Sequence, residues 1–143
     1  MENNGLIEVD NPSELFLSER QNNINGSTIF PSLEGSRPIL VEIQALASNA
    51  NFGTPQRNVN GFDYKRLAML LAVLEKRLGV QIGTKDVFVN LVGGLKINDP
   101  AADLSVITAL ASSEKDQLIK DSYVLIGEVG LGGEIRSVTR LEE

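Results

Sequence analysis

Residues 63–79 read Asp-Tyr-Lys-Arg-Leu-Ala-Met-Leu-Leu-Ala-Val-Leu-Glu-Lys-Arg-Leu-Gly, and no other stretch of the chain constrains its fold so tightly. Asp63 can accept hydrogen bonds from the free N–H groups that open a helix, and Gly79 can take the left-handed conformation that closes one. Lys76 and Arg77 stand where the C-terminal end of the helix dipole favours cations. Between these ends Leu67–Leu74 is apolar nearly all round. Such a helix cannot lie on a surface, so it must be covered on most sides by a sheet or a second helix.

The covering elements can be read in the same way. Ser27–Leu33 and Ile39–Leu46 are aliphatic or β-branched runs separated by Glu34-Gly35-Ser36-Arg37-Pro38, which predicts two antiparallel strands joined by a turn. Asp86–Val92 alternates into a strand that ends at Gly93-Gly94, and Ser122–Val129 reads as another. Asp99-Pro100 opens a second apolar helix through about Ala111, with an aspartate cap and a proline at the first position. Asn11-Pro12 opens a short helix that stops by Arg20. Gln21–Asn25 and Ser48–Asn60 read as polar loops, and Gly130–Gly133 as a turn into a strand over Glu134–Val138. Arg140-Leu141-Glu142-Glu143 begins a helical pattern that stops with the chain. With 143 residues this is one domain, residues 1–143, of α/β class. Leu70, Val73, Leu74, Phe88, Leu104, Ile107 and Ile126 are its expected core.

Several chemistries are excluded by residue type. The chain has no cysteine and no histidine, so it holds no disulfide, no thiolate or imidazole metal ligand and no Ser-His-Asp triad. Gly130-Leu131-Gly132-Gly133-Glu134-Ile135 lacks the last glycine of the dinucleotide fingerprint, and nothing matches the Walker pattern. Asp99, Asp103, Glu128 and Glu134 are candidate magnesium ligands, although capping accounts for Asp99 more simply. The nucleophilic chemistry that stays open is a Ser-Lys dyad, drawn from Ser105, Ser112 and Ser113 with Lys96, Lys115 or Lys120. No apolar run is long enough for a membrane span and no secretory leader is visible, so the expected compartment is the cytoplasm.

The net charge of −6 speaks against bulk affinity for nucleic acid, but the charge is unevenly spread. Residues 51–100 carry seven cations and four carboxylates, whereas acidic side chains dominate on both flanks. A patch needs clustering in space as well as in sequence.

Six blocks, in order along the whole chain, resemble the C-terminal Lon-protease-like domain of the bacterial RadA (Sms) family of DNA-repair ATPases. They are the segments Gly5–Glu14, Glu34–Leu46 with its Glu-Ile-Gln-Ala-Leu, Leu71–Arg77, Asp86–Asn90, Pro100–Leu104, and Gly127–Arg136 with its Gly-Glu-Val-Gly-Leu. The resemblance implies an α/β, Lon proteolytic-domain-like fold, related to ribosomal S5 domain 2, with helices packed on a mixed sheet. It also implies a chain that is one piece of a larger protein, lacking the family's four-cysteine zinc finger and RecA-like ATPase core. For the intact protein it implies a hexameric, DNA-dependent ATPase using ATP, magnesium and zinc. That ATPase acts on single-stranded or branched DNA beside the RecA recombinase, and this fragment itself has no cofactor. Lon-type peptidases open a helix with Gly-Pro-Ser-Ala-Gly, and Asp99-Pro100-Ala101-Ala102-Asp103 takes that place, which puts Ala101 at the nucleophile position. The peptidase lysine would fall near Glu142 or beyond Glu143. Three readings follow: a DNA-binding and ring-forming module, a degenerate peptidase kept for protein binding, and a working peptidase.

The family's role together with the basic middle singles out Arg57, Lys65 and Arg66 as phosphate contacts, with Arg136 as a fourth candidate. Arg57 lies in a polar loop. Lys65 and Arg66 lie in the first turn of a helix, where the dipole disfavours cations and another reason for them is needed. A local pair of Arg66 with Asp63 is the purely structural alternative.

Overall fold

The computed structural model describes residues 25–34, 37–50, 53–93, 96–117 and 124–136. The helix read at Asn11–Arg20 and the helical pattern at 140–143 lie outside them. Strands β1 (Ser27–Glu34) and β2 (Arg37–Asn49) form the expected antiparallel pair, in the register Thr28 opposite Ile43 and Phe30 opposite Val41. Strand β3 (Arg57–Asn60) leads into helix α1 (Tyr64–Leu78), which returns the chain to β4 (Lys85–Leu91), parallel to β3 and antiparallel to β2. The result is a mixed sheet in the order β1-β2-β4-β3. Pro31 is tolerated because β1 is an edge strand.

Both ends of α1 follow the local chemistry of the sequence. The Asp63 side chain accepts from the Arg66 backbone N–H, and Gly79 closes the helix at φ 71°, a conformation that costs glycine little. A short 3₁₀ turn, Pro100–Ala102, precedes helix α2 (Asp103–Lys115), and Asp99 caps that turn through the Ala101 N–H. A final hairpin pairs β5 (Glu128–Val129) with β6 (Ile135–Arg136).

Alternation along the strands decides which residues meet the helices. Ile39, Val41, Ile43 and Ala45 of β2 and Val87, Val89 and Leu91 of β4 face inward. They pack against Leu67, Leu70, Leu71, Val73 and Leu74 of α1 and Val106, Ile107, Ala109 and Leu110 of α2. Gly26 is fixed by a close approach: a Cβ there would stand 2.2 Å from the Ala45 carbonyl oxygen.

Several expectations are corrected. Phe88 is not a core residue: it alternates with the buried Val87 and Val89, so it faces outward opposite Leu46, which is 54% exposed. Leu104 and Ile126 only flank the core. The stretch read as a loop up to Asn60 contains β3, whose Arg-Asn-Val-Asn has the composition of a turn but borrows its ladder from β4. The strand read over Ser122–Val129 is reduced to Glu128–Val129, since 124–127 are irregular and 118–123 lie outside the described residues. Among the described residues no helix is long and apolar enough to cross a membrane.

Candidate nucleic-acid interface

The start of α2 is the place where a Lon-type chain would carry its nucleophile, and here it is closed. Ala101 is 2% exposed and offers only a methyl group. The backbone groups around it are spent. Gly127 N–H donates to the Ala101 carbonyl at 2.8 Å, Leu104 N–H to the Gly127 carbonyl at 3.0 Å, and Ala101 N–H to Asp99 Oδ1 at 3.0 Å. A helix N-terminus whose N–H groups are already satisfied has little left to offer a substrate oxyanion.

Two residues further on, the Asp103 carboxylate is 0% exposed. Its Oδ1 accepts from Arg66 Nε at 2.8 Å, and its Oδ2 accepts from the other arm of the guanidinium and from Val129 N–H at 3.1 Å. This two-pronged geometry suits arginine and carboxylate and leaves the buried charge fully hydrogen-bonded. Glu128 stands 3.5 Å from the same guanidinium. The hydrogen bond that Arg66 donates to Asp103 raises the Arg66 pKa further above its ordinary value, against the opposing effect of burial. Arg66 is thus the clamp joining α1, the start of α2 and β5, and its partner is Asp103 rather than Asp63.

The dyad serines are equally committed. Ser105 Oγ donates to the Leu125 carbonyl at 2.6 Å, while the Ser105 carbonyl accepts from Thr28 Oγ1 at 2.8 Å. Ser112 Oγ accepts from Gly26 N–H at 2.8 Å and donates to the Gln117 carbonyl. Ser113 Oγ accepts from Ala47 N–H at 3.0 Å. These serines pin α2 to β1 and β2. Among the described lysines, Lys85 pairs with Glu114 at 2.6 Å, and Lys65, Lys76, Lys96 and Lys115 are exposed. Lys120 lies outside the described residues. Among the described residues no three acidic side chains are grouped to hold a metal ion.

The four candidate phosphate contacts are not brought into one cluster. Arg136 sits beside Glu134 at 3.1 Å. Arg66 faces inward, as described. Arg57 belongs to an edge strand rather than a loop, and its guanidinium donates to the Lys85 carbonyl and, at 3.1 Å, to the Gly83 carbonyl. It ties down the turn before β4 through backbone carbonyls rather than through a carboxylate. Lys65 is exposed on the first turn of α1.

Arg57 forms one wall of a groove of about 560 Å³ whose other wall is the outer side of α1. Tyr64, Ala68, Ala72 and Lys76 follow one another there at four-residue spacing, which places them on a single ridge of the helix with Lys65 beside it. Leu67 and Leu71 form the floor, and Glu75 is the one carboxylate in the lining. The sequence reading missed Lys76 and Tyr64. Lys76 already had an explanation in the helix dipole, and only the position of Arg57 across the groove gives it a second one.

No family model matches the chain. Among curated proteins it is similar to DNA repair protein RadA of Bacillus subtilis, 48% identical over 143 residues, which is 100% of this chain and 31% of that protein. RadA of Chlamydia pneumoniae is 52% identical over 99% of this chain and 31% of its own length, and RadA of Synechocystis 45% identical over 99% and 28%. The chain therefore spans about 30% of the length of the curated relatives it matches.

Proposed function

Because the chain belongs to the RadA family, matching it along its whole length, we propose that it is a non-catalytic, DNA-contacting module of a DNA repair protein. The observation that carries this reading is the outer side of α1. Arg57 and Lys76 line one groove against the single carboxylate of Glu75, and Lys65 is exposed on the first turn of the same helix. The net charge of −6 argues against adhesion over the whole surface, so binding is confined to that local strip. Phosphates are its targets, with Tyr64 placed to stack on an unpaired base.

The closed start of α2 supports the same reading from the other side, since Ala101 is buried and Ser105, Ser112 and Ser113, among the described residues, are committed to holding the fold. In this reading ATP hydrolysis with its magnesium, the zinc finger, hexameric ring assembly and contact with RecA recombinase are properties of the longer protein. This module supplies DNA contacts and a scaffold for the ring. Arg66 and Arg136 play at most a minor part, because each would have to leave a carboxylate to reach a phosphate.

The test is a binding titration against labelled single-stranded and branched DNA at several salt concentrations. Log affinity should fall linearly with log salt, and replacing Arg57, Lys65 and Lys76 together by Gln should lower the slope by about two to three. Binding by the triple variant equal to that of the parent chain would remove the groove from the account.

A further inference from the structure

We propose that Glu75 is the base-reading residue of the groove, accepting a hydrogen bond from the exocyclic amino group of an unpaired base and so favouring cytosine over thymine. This rests on the groove beside α1 being the surface that meets DNA, and it adds a specificity that cations alone cannot give. Phosphate contacts carry no sequence information, and stacking on an aromatic ring accepts every base. Only a directional donor or acceptor tells one base from another.

Glu75 stands where a carboxylate has no local reason to be. It lies in the last turn of α1, beside Lys76 and Arg77, where the helix dipole favours cations and disfavours anions. Its neighbours at helical spacing, Leu71, Ala72, Leu78 and Gly79, carry no charge. Arg57 and Lys76 line the same groove, yet neither forms an ion pair with it, and among the described residues the carboxylate has no hydrogen-bond partner. Its place is nevertheless defined. Glu75 Oε1 lies 2.5 Å from where a Cβ on Gly83 would stand, so the carboxylate rests against backbone that only glycine leaves open. Gly83 does not have a left-handed backbone, so the missing side chain makes room for the carboxylate rather than for a turn. Arg57 Nη2 donates to the carbonyl of that same Gly83 at 3.1 Å. A cation suited to phosphate and an unpaired acceptor thus meet at one residue of the groove wall.

The chemistry of the acceptor chooses the base. An ionised carboxylate accepts hydrogen bonds and donates none. Cytosine presents its N4 amino group as a donor at the position where thymine presents the O4 oxygen, and adenine offers an N6 amino group of the same kind. The amino group satisfies the carboxylate, whereas O4 sets oxygen against oxygen. Tyr64 and Glu75 stand about 16 Å apart along the axis of α1, so the base stacked on Tyr64 is not the base that Glu75 reads.

Fluorescence anisotropy of the full chain with labelled oligodeoxycytidine and oligodeoxythymidine of equal length, at one salt concentration, tests the proposal. Oligodeoxycytidine should bind about fivefold more tightly, and oligodeoxyuridine, which lacks the thymine methyl group, should behave as oligodeoxythymidine does. Glu75→Gln, whose amide can donate to O4 as well as accept from N4, should bring the ratio of affinities to about one. Gly83→Ala keeps the charge but displaces the carboxylate, and it should lower the same ratio while leaving the salt slope unchanged. Partial unfolding would weaken both complexes together and leave the ratio as it was. Equal affinities in the parent chain, a preference that Glu75→Gln leaves intact, or oligodeoxyuridine binding as tightly as oligodeoxycytidine would overturn the assignment. The groove is judged separately by the salt slope of the Arg57, Lys65 and Lys76 variant. A slope lowered there, beside equal affinities for the two bases, keeps the groove as a DNA surface and removes only the role of Glu75.

Discussion

Lys65 and Arg66 are neighbours in sequence and cations of the same helical turn, yet they belong to different regions of the molecule. Arg66 points inward to a carboxylate that is 0% exposed and holds three elements together. Lys65 points outward beside a groove and has no carboxylate neighbour among the described residues. The contrast extends from these two to the surfaces they belong to. Around the start of α2 the side chains of Asp99, Asp103 and Ser105 are engaged in holding the fold, whereas on the outer side of α1 the charges of Lys65 and Lys76 are exposed. Chemistry that looks catalytic by residue type can thus be wholly structural, and a cation attributed to a helix dipole can belong to a binding surface.

The largest effect that can break this contrast is on stability. Arg66→Ala should cost about 3–5 kcal/mol, because it leaves the Asp103 carboxylate buried without its partner. Lys65→Ala should change stability by less than about 0.5 kcal/mol. Urea unfolding of the two variants measures the difference, and comparable costs for both would erase the distinction. Next is Ser105→Ala, which strips the Leu125 carbonyl of its donor and should cost about 1–2 kcal/mol. Arg57→Ala comes third, at about 1 kcal/mol for its bonds to the Gly83 and Lys85 carbonyls, and it should weaken DNA binding as well. Ala101→Ser should create no peptidase activity, measured on an unfolded protein substrate, since the new hydroxyl would be enclosed with no lysine beside it among the described residues.

The smallest effect is one of pH. Bonds to Glu134 from the local backbone, and then from Arg136, hold its pKa below the ordinary glutamate value. A carboxylate with a depressed folded-state pKa stabilises the native state above the unfolded-state value, and that stabilisation is lost as pH falls through the folded value. Glu134→Gln should therefore flatten slightly the fall in stability of the chain in mild acid. The group is fully exposed, so the change should be near the limit of detection by denaturant titration.

What was legible in the sequence was local. Asp63 and Gly79 mark both ends of α1 because capping is decided within a few residues, and the Asp99-Pro100 start of the second helix is legible for the same reason. Strand β3 was not legible, since Arg-Asn-Val-Asn has no strand propensity of its own and is ordered only by β4, nearly thirty residues away. Phe88 faces outward although it is large, because its position between the inward-facing Val87 and Val89 decides its side of the sheet. The pairing of Arg66 with Asp103 crosses 37 residues of sequence, so the local partner Asp63 looked adequate until the helices were packed. The groove is legible only in three dimensions, because Arg57 and Lys76 come from different elements.

The most direct test of the account is the salt dependence of DNA binding by Lys65→Ala/Lys76→Ala, measured with its unfolding midpoint. The two cations are exposed and carry no carboxylate partner among the described residues, so their loss should lower the slope of log affinity against log salt by about two while the midpoint stays within error. An unchanged slope, or a slope that falls only because the protein has become unstable, would contradict the claim that the outer side of α1 is the surface that meets DNA.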